Sequence, residues 1–367
     1  LRLKKLLDKP EDDDNQNRPF KVIYFDVRDM LDLNDLDFPD LLVCIAGEIQ
    51  TQLRAAKIPG FDATSTLLKN IWDGFKGLMG SEVTLSGDIP FTPLAFELKN
   101  NATARQKLRE AIDAQSTNLL NAVNDLLVDA TAKLREADHE GLVLIVDGLE
   151  KLALRTLPDG TTTHDRLFIN RAEQLADLKV HVIYAVPISL IYSPQFPQLV
   201  EAFREDAQPV PMIRIRPEDK SEITPETPGM KVLWEIIDKR CQNADVNISD
   251  VFDEPKTGHY LCEMSGGHPR HLMTFIISAA NLLDELPITY EAVETAVRKY
   301  AVGLVRSIPD GYWAKLRKFD KPTEDLPKDE DHLAMLFRLH IFEYMNGNPW
   351  YEVNPALRIL KKFNHKA

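Results

Sequence analysis

Asp147 and Glu150 are the residues of this chain whose type and spacing best suit chemistry. They stand in GLVLIVDGLEKL, residues 141–152, where the apolar run Leu142 to Val146 ends abruptly in Asp147, Gly148, Leu149 and Glu150. A short apolar run stopped by turn residues reads as a buried strand of a parallel sheet. Such sheets bind ligands beyond the carboxyl ends of their strands. A carboxylate at that end can hold a magnesium ion beside a phosphate. A second carboxylate three residues later can orient an attacking water as a general base. The plainer alternatives are a turn-capping aspartate and a surface glutamate paired with Lys151.

Two other segments offer anion contacts. In SGGHPRHL, residues 265–272, a Gly-Gly break precedes Pro269, which suits a first helical turn. Arg270 then stands near a helix start, where its planar donors match phosphate oxygens, and His268 can add a contact. The alternative is a helix-start turn with an exposed arginine. In VHVIYAVPISLIYS, residues 180–193, an apolar strand exits through Ala185, Val186, Pro187, Ile188 and Ser189. Ala185 has no hydrogen-bonding side chain, so Ser189 is the nearby polar group. A core strand with a proline-bent exit reads equally well. Ordinary salt bridging is expected of Arg166 and Arg171. His139, His164, His181, His259, His340 and His365 make no ligand spacing, and SEVTLSG lacks the GxSxG frame of a nucleophile elbow.

The DGLEK strand end resembles the Walker B element of P-loop NTPases, and GGHPR resembles the GGxP turn of the AAA+ and STAND ATPases, near the origin-recognition-like and archaeal-type members. That resemblance implies an α/β fold, with a P-loop NTPase-like parallel sheet flanked by helices. An α-helical lid and a C-terminal winged-helix-like domain would follow. It implies ATP and Mg2+ as ligands held between core and lid. Asp147 would be on the metal, Glu150 on the attacking water, Ser189 in the sensor-1 place, and Arg270 with His268 on the phosphates. It implies a switch or an assembly ATPase rather than a metabolic enzyme. The phosphate-cradling GxxxxGK[ST] is absent, since GFKGLMGS at Gly74–Ser81 lacks the Lys-Ser/Thr pair. LRLKKLLDK, residues 1–9, reads like the helix that follows such a loop, so the chain is expected to begin just after it. The alternative is a degenerate, non-catalytic ATPase fold that docks a partner through its winged helix.

The elements that must position these residues follow from periodicity. KVIYFD within residues 19–30 is a strand ending in acid, and Asp37 or Asp40 caps the helix after it. Residues 60–100 read as an irregular insertion, and 101–137 as one long amphipathic helix. Strands are expected at 142–147, 180–186 and 211–216, the last an edge strand because Arg214 and Arg216 alternate with apolar residues. A helix at 168–178 connects two of them. The polar, proline-bearing 217–229 reads as a linker. Helices follow, one of them capped by Thr289, and then a hairpin turning at Asn346-Gly347. The expected domains are residues 1–217, 218–305 and 306–367.

Composition sets bounds on partners. The chain of 367 residues carries a net charge of −13, which suits non-specific nucleic-acid binding poorly. The expected partners are ATP and a protein or a second copy, with DNA not favoured. No apolar run approaches the ~20 residues that span a bilayer. The three cysteines, Cys44, Cys241 and Cys262, are scattered, and a reducing cytoplasm is the expected compartment.

Overall fold

The computed structural model describes residues 2–8, 18–59, 99–103, 105, 106, 109 and 116–364. Apart from residues 99 and 100, the expected insertion at 60–100 lies outside them, as does GFKGLMGS. The chain divides into two compact units, Leu1–Ala207 and Gln208–Ala367. Among the described residues no helix is long and apolar enough to cross a membrane.

The first unit is α/β. Helix α1 (Arg2–Asp8) precedes β1 (Lys21–Asp26), and Asp8 accepts from the Val22 amide at 2.9 Å. Helix α2 (Phe38–Ala55) begins where the sequence offers two acids, and both are used. Asp37 accepts from the Phe38 amide at 2.7 Å, and Asp40 returns the bond to the Asp37 amide at 2.9 Å. This reciprocal box satisfies donors that a helix start leaves open. Asp40 is buried and paired with Arg109 at 2.5 Å; burial still pushes its carboxyl up to about 6. Helix α3 (Ser116–Glu136) buries Leu119, Val123, Leu126, Ala130 and Leu134, the apolar stripe read from the sequence.

Strands β2 (Leu142–Asp147) and β3 (His181–Tyr184) complete a three-stranded parallel sheet in the order β1-β2-β3, flanked by helices. Register pairs Asp26 with Asp147 and Val143 with His181. The middle strand is thus the buried one, as its unbroken apolar run requires. The connection expected as one helix over 168–178 is a five-residue π-helix, Asp165–Ile169, followed by α4 (Ala172–Ala176). Helix α5 (Phe196–Phe203) closes the unit.

The expected strand at 211–216 does not join the sheet. Its extended backbone bonds inside the second unit instead. The Met212 amide donates to Glu343 O and the Ile213 amide to Gly267 O, both at 3.1 Å. Two glycines admit it. A Cβ at Gly267 would stand 1.8 Å from Ile213 O, and one at Gly229 1.9 Å from Arg214 O. An alternating Met-Ile-Arg-Ile-Arg pattern cannot distinguish a sheet edge from a strap laid on glycines.

The second unit continues with helices α6 (Pro228–Gln242), α7 (Pro255–Met264), α8 (Pro269–Ala280) and α9 (Tyr290–Val305). Thr289 caps α9, its side chain accepting from the Ala292 amide at 3.3 Å. Then come α10 (Tyr312–Leu316), α11 (Glu330–Phe337) and the hairpin β4 (Ile341–Asn346) and β5 (Asn348–Val353). Gly347 supplies φ +74° at the turn expected there. Tyr344 and Trp350 stack across the hairpin at 4.3 Å and both are buried.

Candidate functional site

Asp147 closes β2, the middle strand of the sheet, and its carboxylate is held at both oxygens. The Gly148 amide donates to Oδ1 at 2.9 Å, and the Tyr24 hydroxyl donates to Oδ2 at 2.6 Å. Bonds at both oxygens fix the direction of the carboxylate. The bond to Asp147, with burial, pushes the Tyr24 hydroxyl up to about 12. Gly148 makes the chain leave the strand sharply. Its φ is +87°, and a Cβ there would stand 2.3 Å from Asp26 Oδ1. Leu149 and Leu152 anchor the turn by insertion into the core.

Asp26 is the neighbouring acid, but it is already committed. Arg28 donates from Nε to both of its carboxylate oxygens at 2.9 Å, and the Arg28 amide adds a bond at 3.0 Å. That pairing holds the Asp26 carboxyl well below the usual range, at about 2. Of the two acids side by side at this sheet end, Asp147 is the one without an ion pair among the described residues. Glu150 lies in the short 3-10 turn after Gly148 and is exposed, pairing with Lys151 at 3.2 Å.

Ser189 is tied to His164, one of the histidines without ligand spacing. His164 is buried, and its Nε2 lies 2.8 Å from Leu152 O. A carbonyl oxygen only accepts, so Nε2 carries the proton and Nδ1 is an acceptor. The Ser189 hydroxyl, 2.9 Å from Nδ1, is therefore the donor. Burial lowers the imidazole's affinity for a second proton. The chain Leu152–His164–Ser189 links the loop after β2 to the loop after β3. No spacing in the sequence reveals it, because the bonded residues are 12 and 25 positions apart. Arg166 pairs with Asp37 at 2.5 Å, the salt bridging expected of it.

In the second unit, Gly266 and Gly267 take φ +60° and +79°, and Pro269 opens α8 as read from the sequence. Packing accounts for both glycines. A Cβ at Gly266 would stand 2.3 Å from the Phe342 ring, and Tyr344 donates its hydroxyl to Gly266 O at 2.7 Å. His268 caps α8, its Nδ1 accepting from the His271 amide at 3.1 Å. Its ring stacks on His271 at 4.0 Å. Arg270, the second residue of α8, is exposed, and its guanidinium makes no hydrogen bond or ion pair among the described residues.

The described residues hold no group of three or more side chains suited to a metal ion. Magnesium bound with a nucleotide does not require one, since one or two carboxylates suffice when phosphates and water supply the rest. Asp147 fits that requirement. No family model, curated protein or solved structure matches this chain.

Proposed function

We propose that the first unit is the nucleotide-binding core of an ATP-driven switch of the AAA+ and STAND type. In it Asp147 holds Mg2+ beside the phosphates at the carboxyl end of the parallel sheet. One observation carries this reading. Asp147 is oriented by Tyr24 and Gly148 at the tip of the middle strand, next to an Asp26 already neutralised by Arg28. Magnesium supplies charge neutralisation for phosphoryl transfer. The residues of the chain do the positioning. Tyr24 and the Gly148 amide fix the carboxylate, and Glu150 is the exposed base available to a water. Ser189 is the polar group on the neighbouring loop. On the same reading α6 to α9 correspond to the lid and α10 to β5 to the winged helix.

The test is calorimetric titration of ATP into the full-length protein with and without magnesium. Binding should require magnesium, and Asp147→Ala should weaken it at least about a hundredfold, as loss of a charge-assisted metal contact does. Equal affinity in the variant rejects the assignment.

A second reading is a non-catalytic interaction protein on the same fold. Two observations favour it: the Ser189 hydroxyl is spent on His164, and Glu150 is paired with Lys151. On that reading the hairpin region docks a protein rather than DNA. The helix before it starts with Asp329, Glu330 and Asp331, and its His332 is buried against Asp329 at 2.7 Å. Such a helix repels phosphates. Absence of magnesium-dependent ATP binding in the same titration selects this alternative.

A further inference from the structure

The second unit contains a cavity of about 660 Å³ beside α7. Lys256, His259, Tyr260 and Glu263 all line it. They recur three and four apart, so they share one face of the helix. Tyr290, the first residue of α9, lines it too, and its ring lies 5.2 Å from that of Tyr260.

The charges around this cavity have partners, with one exception. Asp253 accepts from Thr257 Oγ1 at 2.6 Å, from the Glu254 amide at 2.8 Å and from the Tyr290 amide at 3.2 Å. Glu254 pairs with Lys256 at 2.6 Å, and Glu226 nearby pairs with Lys231 at 2.7 Å. The His259 ring lies against Trp234, tilted, at 4.5 Å, and burial lowers its affinity for a proton. Only the Glu263 carboxylate makes no hydrogen bond or ion pair among the described residues.

Glu263 also sits where a carboxylate is least welcome. It lies in the last turn of α7, where the helix carbonyls concentrate negative potential. Burial pushes its carboxyl upward. The cations that act on it, Arg216 and Arg358, are each bound to Glu352 at 2.7 Å. Arg216 and Arg358 thus favour the Glu263 charge from a distance, but neither makes an ion pair with it. Two tyrosine rings beside an unpaired carboxylate match the needs of an organic cation, which gains from both ring faces and charge.

We infer that this cavity binds an alkylguanidinium or alkylammonium group, paired to Glu263 and resting against Tyr260 and Tyr290. Such a group comes either on an arginine or lysine side chain of a protein partner or as a free amine. The site is independent of the nucleotide reading.

The experiment is calorimetric titration of the full chain with agmatine and, separately, with the capped peptide Gly-Arg-Gly. Saturable binding of either supports the inference. Tighter binding of the peptide identifies a partner's side chain, and tighter binding of agmatine a free amine. Glu263→Gln should weaken binding at least about tenfold, the loss expected for a charge-assisted pair. Its melting temperature should be equal to or above that of the parent, since a misplaced charge is removed. Tyr290→Leu should weaken binding severalfold through loss of the ring. Three results each overturn the inference: no saturable binding of either probe, undiminished binding by Glu263→Gln, or a lowered melting temperature in that variant.

Discussion

The Tyr24 hydroxyl reaches Asp147 across the β1–β2 pair at 2.6 Å, although the register partner of Tyr24 is Ile145. Residues two apart on a strand share a face, so a long phenol on β1 reaches the acid closing β2. Tyr24→Phe keeps the ring and deletes only this bond. It should cost about 1–3 kcal/mol in urea unfolding, as loss of a bond to a charged group does. It should also weaken magnesium-dependent ATP binding about tenfold by freeing the carboxylate. Affinity equal to that of the parent would show that Tyr24 does not orient a metal ligand.

Two glycines with nearly equal φ separate strain from crowding. Gly148 and Gly160 have φ +87° and +85°, but only Gly148 has atoms within 4 Å of an added Cβ. Gly160→Ala should cost about 1–2 kcal/mol, the price of left-handed backbone alone. Gly148→Ala should cost clearly more in the same denaturation series, because the methyl must displace Asp26. Equal losses would mean that the Asp26 carboxylate yields freely.

His164 should show a protonated Nε2 and an acceptor Nδ1 in nitrogen-resolved NMR. Ser189→Ala should shift the Nδ1 resonance toward an unbonded acceptor and leave Nε2 protonated. A protonated Nδ1 in the parent protein would reverse the donor assignment.

The pH dependence of the second unit follows from buried imidazoles. Burial lowers His271 to about 3 and His340 to about 4, below the ordinary value near 6.5. The unfolded chain therefore binds more protons than the folded one between those values, and stability rises with pH there. Acidification from about pH 6.5 should progressively destabilise the unit until about pH 4 for His340 and pH 3 for His271. His271 packs against His268, Phe275, Tyr300 and Phe342, with Arg270 the charge acting on it besides His268. His271→Phe should flatten the melting-temperature profile across this window. An unchanged slope would assign the acid sensitivity to other groups.

The local elements were legible because each announces itself within a few residues. Leu142 to Asp147 is a strand because five apolar residues end in a turn, and Asp37 with Asp40 caps α2 at the spacing of a reciprocal box. Asn346-Gly347 turns the hairpin because glycine tolerates its positive φ. The candidate acid could be read for the same reason. Its setting could not, since Tyr24 and Asp26 come to Asp147 only through strand register. His164 was likewise invisible, its bonds being set by how two loops meet. The 211–216 segment pairs with Glu343 and Gly267 rather than with the sheet, and its pattern suits either partner because both demand an extended backbone.

That strap fixes where the chain can be divided. The charged, proline-bearing stretch after Arg216 invites a scalpel, and it runs within the second unit. An expression boundary drawn there would amputate Met212 and Ile213. The amide donors that meet Glu343 and Gly267 would go with them, leaving a bare trough over two glycines. A boundary at Gln208 keeps the segment seated, so the shorter piece should precipitate where the longer one stays in solution.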